Sequence, residues 1–178
     1  MALSHAILVS LLDRPQTGYE LNKRFDQTVG FFWKASHQQI YQELHKMAAA
    51  GWVQSTTVEQ ADRPNRIVYA ITDAGRAVVD EWVAQPVDPP SVKEELLVKL
   101  FAMPAVDTAA LVREVERRLA HNRERLAWYE SLMQEHYPQP AKLSPRKRGR
   151  YLGLRMGVMS AQTAIDWCGE ALALLKGR

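Results

Sequence analysis

The spacing of apolar residues along the 178-residue chain predicts a mainly helical protein. In the first 50 residues, apolar side chains recur three or four positions apart, which is the period of one helix face. Capping residues stand where helices should begin: Thr17 with Glu20 forms a capping box, and Ser36 is a suitable N-cap. The pattern predicts three helices, over residues 2–13, 17–30 and 37–50.

Two β segments follow the third predicted helix. Residues 52–59 are rich in Val and Thr, and residues 67–72 alternate with the period of a half-buried strand. The polar, turn-forming segment 60–66 lies between them, and a fourth helix is predicted from Thr72 to Ala84. This order is typical of a winged helix-turn-helix, in which the third helix enters the DNA major groove and the hairpin loop, or wing, contacts an adjacent groove or the backbone.

A proline-rich segment divides the chain. Three prolines between Pro86 and Pro90 cannot continue a helix, so we predict a linker there. We expect a DNA-binding domain over 1–85 and a helical domain over 86–178. In the second domain, Ser91 with Glu94 predicts another capping box, and the pattern predicts helices over 92–102, from Asp107 to before Pro138, and from Pro145 to Leu175.

The last two predicted helices carry apolar residues at alternating steps of three and four, as helices do when they pack along their length. Helices of about thirty residues are about 45 Å long, which exceeds the core of a small domain. Their apolar seams need a neighbouring helix or a second subunit. We predict a homodimer held by seven seam residues: Val115, Leu119, Leu126, Leu154, Val158, Ile165 and Leu172.

Charge is distributed unevenly between the two predicted domains. The net charge is +3, but residues 1–85 carry eight Lys or Arg and nine Asp or Glu. Any DNA contact must therefore come from the local placement of a few charges. The single cysteine, Cys168, cannot form an internal disulfide, and no apolar run is long enough for a membrane span, so we expect a cytoplasmic protein.

The outward face of the third predicted helix is rich in amide side chains. With Ile40 and Leu44 turned inward, this face has no carboxylate at its centre, and glutamine can pair with adenine N6 and N7. Wing arginines can contact phosphate or enter a minor groove. The candidate DNA-binding residues are Lys34, Ser36, His37, Gln38, Gln39, Tyr41, Gln42, His45 and Lys46 at the helix, and Arg63, Asn65 and Arg66 in the wing. The alternative is a solvated face on a winged-helix module that binds proteins and not DNA.

The rest of the sequence offers weaker candidates for a functional site. The five histidines lack metal-ligand spacing, and no phosphate loop, dinucleotide fingerprint or nucleophile elbow is present, so we expect neither a cofactor nor an enzyme. The basic run 146–150 is either solvated, an extra phosphate contact or a partner for acids on a second subunit. Trp82, Trp128 and Trp167 could line a cleft between the domains for an aromatic or apolar effector.

Several motifs, in order along the chain, resemble the PadR-type transcriptional regulators. They lie at 32–37, 39–44, 51–53 and 69–75 and at Trp82, and the segment 93–101 resembles the start of the helical C-terminal domain of the longer PadR subfamily. The resemblance implies a winged-helix dimer that represses promoters and is often released by small molecules. The family usually has Gly and Pro where this chain has Gln38 and Gln42, so the base contacts should differ.

A symmetric dimer would set a constraint on its DNA site. Two recognition helices related by a two-fold axis fit half-sites one helical turn apart, about 34 Å, on a near-palindromic operator. We therefore expect double-stranded DNA as the partner of the homodimer.

Overall fold

The computed structural model describes residues 2–26, 35–59, 61, 65–89, 91 and 93–177 and confirms the mainly helical fold. The chain forms two compact units, residues 1–89 and 90–178, with their boundary four residues beyond the predicted one. None of the helices in the described part of the chain is both long and apolar enough to cross a bilayer.

The described residues of the N-terminal unit contain helices and short strands in the order expected for a winged helix, with one additional strand. The elements are α1 (Ala2–Leu11), β1 (Gln16–Thr17), α2 (Gly18–Asp26), α3 (His37–Ala49), β2 (Val53–Val58), β3 (Arg66–Ile71) and α4 (Asp73–Ala84). The predicted end of the second helix, at Gly30, lies outside the described residues.

Side-chain caps begin α2, α3 and α4. The predicted capping box of α2 is confirmed, because the Glu20 amide donates to Thr17 Oγ1 at 3.2 Å and Glu20 Oε2 accepts from the Thr17 amide at 2.8 Å. Ser36 is the N-cap of α3, as predicted. Thr72 precedes α4, where its hydroxyl accepts from the Gly75 amide at 3.1 Å. Each cap satisfies a backbone amide that the helix itself leaves unpaired.

The three strands form one antiparallel sheet in the order β1-β3-β2. The wing strands pair in register from Val53 opposite Ile71 to Val58 opposite Arg66. On the other side of β3, Gln16 pairs with Tyr69. Sequence reasoning missed β1, because a strand of two residues is too short to show a period.

The core of the N-terminal unit lies between the helices and the inner face of the sheet. Its buried members come from α1, α2, α3, the wing and α4: Ile7, Leu8, Leu11, Leu21, Phe25, Ile40, Leu44, Met47, Val53, Tyr69 and Val79. Burying such side chains contributes about 1.5–3 kcal/mol each to the stability of the fold. This core fixes which face of α3 points to solvent.

The described residues of the C-terminal unit contain one short and two long α-helices: α5 (Glu95–Phe101), α6 (Thr108–His136) and α7 (Pro145–Leu175). Short 3-10 helices at Met103–Ala105 and Pro140–Lys142 lie in the two connections between them. Asp107 caps α6 as predicted, with its Oδ1 accepting from the Ala109 amide at 2.9 Å. The predicted start of α5 was wrong. Glu94 is its N-cap and accepts from the Leu96 amide at 3.1 Å, while Arg118 of α6 donates to the same carboxylate at 2.8 Å. An ion pair with a neighbouring helix thus replaces the expected Ser91–Glu94 box.

The apolar seams of α6 and α7 meet within one chain. Val115 of α6 and Cys168 of α7 belong to one buried cluster, and Leu119 and Leu172 pack against it. Further along the pair, Gly157 lets the Tyr129 ring approach closely, within 3.0 Å of the position that a Cβ would take. The helices are therefore antiparallel neighbours that cover each other's predicted seam.

This packing bears on the seven residues that were predicted to dimerise. Val115, Leu154 and Val158 are buried by their own chain, which leaves them little surface for a second subunit. The other four, Leu119, Leu126, Ile165 and Leu172, are half-buried. A role for these four residues between subunits stays a prediction.

The start of α4 lies against the turn that leads into β2. A Cβ added at Gly75 would meet the Trp52 carbonyl oxygen at 2.1 Å and Ile71 Cγ1 at 2.9 Å. The same carbonyl accepts from the Thr72 amide at 3.0 Å, so the backbone cannot move aside without breaking that bond. No side chain larger than hydrogen fits at this position.

We expect Gly75→Ala to lower the free energy of unfolding by about 2 kcal/mol or more, because the methyl group would overpack against backbone. The matched control is Gly169→Ala in α7, where nothing lies within 4 Å of the new Cβ. That change should raise helix stability by about 0.5–1 kcal/mol. Urea denaturation of the full chain measures both, and equal effects of the two substitutions would contradict the close approach at Gly75.

Candidate nucleic-acid interface

α3 presents a polar face to solvent, fixed by its buried face. Ile40, Leu44 and Met47 are buried, one turn apart along the helix. The candidate residues on the opposite side are all exposed: His37, Gln38, Gln39, Tyr41, Gln42, His45 and Lys46. Lys46 lies 3.5 Å from the Glu43 carboxylate, a surface pair that leaves its amine accessible. The face is therefore geometrically available to a polyanion.

A reciprocal capping box holds the first turn of α3. The Gln39 amide donates to Ser36 Oγ at 3.2 Å, and Gln39 Oε1 accepts from the Ser36 amide at 2.8 Å. Sequence reasoning identified Ser36 as a cap and assigned Gln39 to base reading. In the structure the Gln39 oxygen is already occupied, and pairing with adenine would require that oxygen to leave the cap. Gln39 thus positions the helix.

A second contact ties the same end of α3 to α2. His37 Nε2 lies 2.7 Å from Asn22 Nδ2, and Asn22 is buried. With Nε2 unprotonated, the ring accepts from the Asn22 amide and the other ring nitrogen stays available to solvent. His37 therefore combines an anchoring contact with an exposed edge.

Residues from three elements line one open groove of about 720 Å³ in the N-terminal unit. The predicted candidates Tyr41 and His45 of α3 lie on one wall, and Asn65 and Arg66 of the wing lie on another. The structure thus brings together residues that are about twenty positions apart in sequence. Sequence reasoning missed the third wall, formed by the start of α2: Thr17, Gly18, Tyr19 and Glu20. The exposed Tyr19 within a capping motif was the available signal.

The groove walls touch where Gly18 meets Tyr41. A Cβ at Gly18 would lie 2.5 Å from Tyr41 Cε1 and 2.7 Å from Cζ, so only glycine lets the ring rest on the start of α2. Behind them Tyr69 is 3% exposed, and burial raises the pKa of its phenol. Tyr41 therefore forms part of the groove wall and also stays partly exposed to solvent.

One acid borders the groove. Hydrogen bonds from the Thr17 amide and hydroxyl lower the pKa of Glu20, and the positive charges of Arg14 and Arg66 lower it further. Glu20 is therefore ionised near neutral pH. A phosphate entering the groove would meet Arg66 beside a fixed negative charge, which restricts where an anion can lie.

The remaining candidates have different outcomes. Lys34 and Arg63 lie outside the described residues. Trp82 belongs to the N-terminal unit, where it stacks on His5 at 4.7 Å between centroids. Trp167 packs on the Val115–Cys168 cluster, whereas Trp128 is exposed beside Tyr129 near the level of Gly157. The two tryptophans of the C-terminal unit thus lie about 15 Å apart along the helices and do not share one cleft there.

Metal-binding chemistry has no support in the described residues. No group of three or more His, Cys, Asp or Glu side chains among them could hold an ion. Cys168 is buried, and burial raises the pKa of its thiol.

We expect Gln39→Ala to lower the free energy of unfolding by about 0.5–1 kcal/mol, because the Ser36 amide loses its acceptor. Gln39→Glu keeps an acceptor and places a negative charge near the helix N-terminus, so it should retain stability. Gln38→Ala is the neighbouring control and should change stability by no more than about 0.5 kcal/mol. Thermal and urea denaturation measure all three, and an unaffected Gln39→Ala variant would exclude the capping role.

Comparison with known proteins connects this geometry to a family. Residues 7–81 match the model of the transcriptional regulator PadR-like family, and residues 92–176 match the model described as virulence activator alpha C-term. The probable transcriptional regulator Rv1176c of Mycobacterium tuberculosis is 39% identical over 99% of this chain and 98% of its own length. The negative transcriptional regulator PadR of Bacillus subtilis is 28% identical over 97% of both chains.

Solved structures agree with this result. The Vibrio cholerae virulence activator AphA is 36% identical, with a TM-score of 0.84 over 98% of both chains. Bacillus subtilis PadR in complex with operator DNA has a TM-score of 0.87 over 98% of this chain and 99% of that one; at 24% identity it supports the fold. The chain therefore belongs to the PadR-like family, whose members are DNA-binding transcriptional regulators with a winged helix and long C-terminal helices, and are not enzymes.

Proposed function

We propose that the protein is a homodimeric repressor that binds a near-palindromic operator through α3 and the wing, and that it acts in the cytoplasm. The observation that carries the proposal is the common groove of Tyr41, His45, Asn65 and Arg66. A recognition helix and a wing that line the same groove of the protein can contact one DNA duplex together, because base edges and phosphates lie side by side in the duplex.

Within this interface, the residues divide by task. The exposed amides of Gln38 and Gln42 are the base-reading groups, because neither takes part in the capping of α3. Arg66 and the predicted wing residue Arg63 are the phosphate or minor-groove groups. Gln39, Ser36 and His37 hold α3 at the angle at which Gln38 and Gln42 meet the major groove of the DNA.

Relatives of the chain support repression and its release by a ligand. PadR of Bacillus subtilis is a negative regulator, and PadR structures have been solved with operator DNA and with p-coumaric acid. By analogy we propose that a small aromatic or apolar effector releases this protein from its operator. The relation to a virulence activator makes activation the second candidate, and a transcription assay on the selected operator distinguishes the two.

We expect Arg66→Ala to weaken binding to all duplexes and to reduce the slope of log affinity against log salt concentration by about 0.9 for each phosphate that is no longer bound. Arg76→Ala is the matched control, because Arg76 is exposed on α4 and does not line the groove. Fluorescence anisotropy between about 50 and 200 mM salt measures the slopes. A salt-independent affinity in the wild-type protein would instead favour a module that binds proteins.

We expect Gln38→Ala and Gln42→Ala to change which bases are selected from a random duplex pool, because each removed amide would take away about 1–3 kcal/mol of discrimination at its base. Gln39→Ala should reduce affinity for all sequences by a similar factor, since it loosens α3 as a whole. Sequencing of the bound fragments tests both expectations. A new base preference for Gln39→Ala, with none for the other two, would reverse this division.

A further inference from the structure

The start of α2 places a carboxylate on the wall of the groove that α3 and the wing also line. Glu20 is exposed, and it is the one Asp or Glu among the described residues that line this groove. Duplex DNA carries about one negative charge per 1.7 Å of helix axis, so a carboxylate here repels the polyanion that the groove would meet. The charge of Glu20 therefore needs a physical explanation.

Helix capping explains the side chain of Glu20 but not its charge. Glu20 Oε2 accepts from the Thr17 amide at 2.8 Å and from the Thr17 hydroxyl at 2.9 Å. A glutamine oxygen can accept the same bonds, and α3 uses Gln39 at the equivalent position of its own capping box. For α2, the negative charge adds only the modest attraction of the helix dipole.

One oxygen of the Glu20 carboxylate is left for the groove. Among the described residues, no hydrogen bond reaches Glu20 Oε1, and no ion pair joins Glu20 to Arg66. The charge of Arg66 nevertheless lowers the pKa of Glu20, so the two charges lie near each other without forming an ion pair. A phosphate that reaches Arg66 therefore comes within electrostatic range of Glu20 as well.

The charge balance of the N-terminal unit gives this carboxylate particular weight. Residues 1–85 carry eight Lys or Arg and nine Asp or Glu, so the unit as a whole has little net attraction for DNA. Its affinity for a duplex must come from local contacts in and around the groove. One repulsive charge inside that surface should change the affinity more than the same charge elsewhere on the unit.

We propose that Glu20 is a specificity-determining residue, which repels phosphate from the α2 side of the groove and so weakens binding to duplexes of the wrong sequence. On the operator, the base contacts of α3 hold the duplex in one position, in which a phosphate meets Arg66 and stays clear of Glu20. A duplex without those base contacts is held by its phosphates alone and samples many positions, some of which bring a phosphate next to Glu20.

The role follows from the way in which specificity arises. Specificity is a difference between two affinities, and a repulsive group that acts on the wrong duplex increases it without any new contact to the right one. The inference rests on the DNA interface of the proposed function and adds to it a residue that acts by repulsion.

The variant Glu20→Gln tests the role, because it removes the charge and keeps an acceptor for the Thr17 amide. Fluorescence anisotropy of the full chain compares the duplex that the wild-type protein selects with a shuffled duplex of the same length and composition. At about 50 mM salt, affinity for the shuffled duplex should rise about fivefold, as for two unit charges about 4 Å apart in water, while affinity for the selected duplex changes less than about twofold. The gain should shrink at about 200 mM salt, because screening shortens the range of the repulsion.

Glu81→Gln is the matched control. It removes the same charge from the same unit, but Glu81 is exposed on α4 and does not line the groove. The ratio of the two affinities should stay within about twofold of the wild-type ratio, and urea denaturation checks that both variants are folded. An equal fall in the ratio for both variants overturns the proposal, because net charge alone would then be the cause. A Glu20→Gln variant that binds both duplexes more weakly by one factor also overturns it and leaves only the capping role.

The outcome can be separated from that of the proposed function. If Arg66→Ala weakens binding to both duplexes but Glu20→Gln leaves the ratio of the two affinities unchanged, the DNA interface stands and the role of Glu20 is wrong. If Arg66→Ala has no effect but Glu20→Gln lowers the ratio, the role of Glu20 stands and the proposed wing contact fails. A wild-type chain that selects no duplex from a random pool overturns both.

Discussion

The orientation of α3 is the constraint on which the candidate interface depends. Three of its side chains are fixed in a core built from α1, α2 and the wing, and this leaves one rotation of the helix about its axis. The reciprocal bonds of Ser36 and Gln39 then fix where the helix begins, and the Asn22–His37 contact ties that point to α2. Base reading requires side chains placed to within a fraction of an ångström, so under the proposed function these contacts would contribute to recognition without touching a base.

Much of this arrangement could be predicted from the sequence, because it follows from local periodicity and capping chemistry. Several features depend only on residues that are close together in the sequence. They are the inward Ile40 and Leu44, the cap at Ser36, and the capping box of Thr17 and Glu20. The order of helices and strands then indicated a winged helix, and the resemblance to PadR-type regulators gave the same answer.

The remainder depends on contacts between distant segments, for which one sequence carries no local signal. β1 exists only because Gln16 meets Tyr69, and the third wall of the groove exists only because Gly18 meets Tyr41. Glu94 leaves the expected capping box because Arg118, on another helix, reaches its carboxylate. The heptad pattern identified the residues of the long seam but could not tell whether the covering helix belongs to the same chain or to another. In the structure α6 and α7 cover each other.

The short strand β1 has a mechanical consequence for the wing. Through Gln16 and Thr17 it joins β3 directly to the segment that opens α2, so two walls of the groove are linked by backbone hydrogen bonds. The Gln16 side chain is buried and donates to the Ser10 carbonyl at 2.8 Å, which extends the linkage into α1. Under the proposed function, a duplex that pressed on the wing would therefore also strain the turn between α1 and α2. The force on the wing would then be shared with the helices of the N-terminal unit and would not be taken up by the hairpin alone.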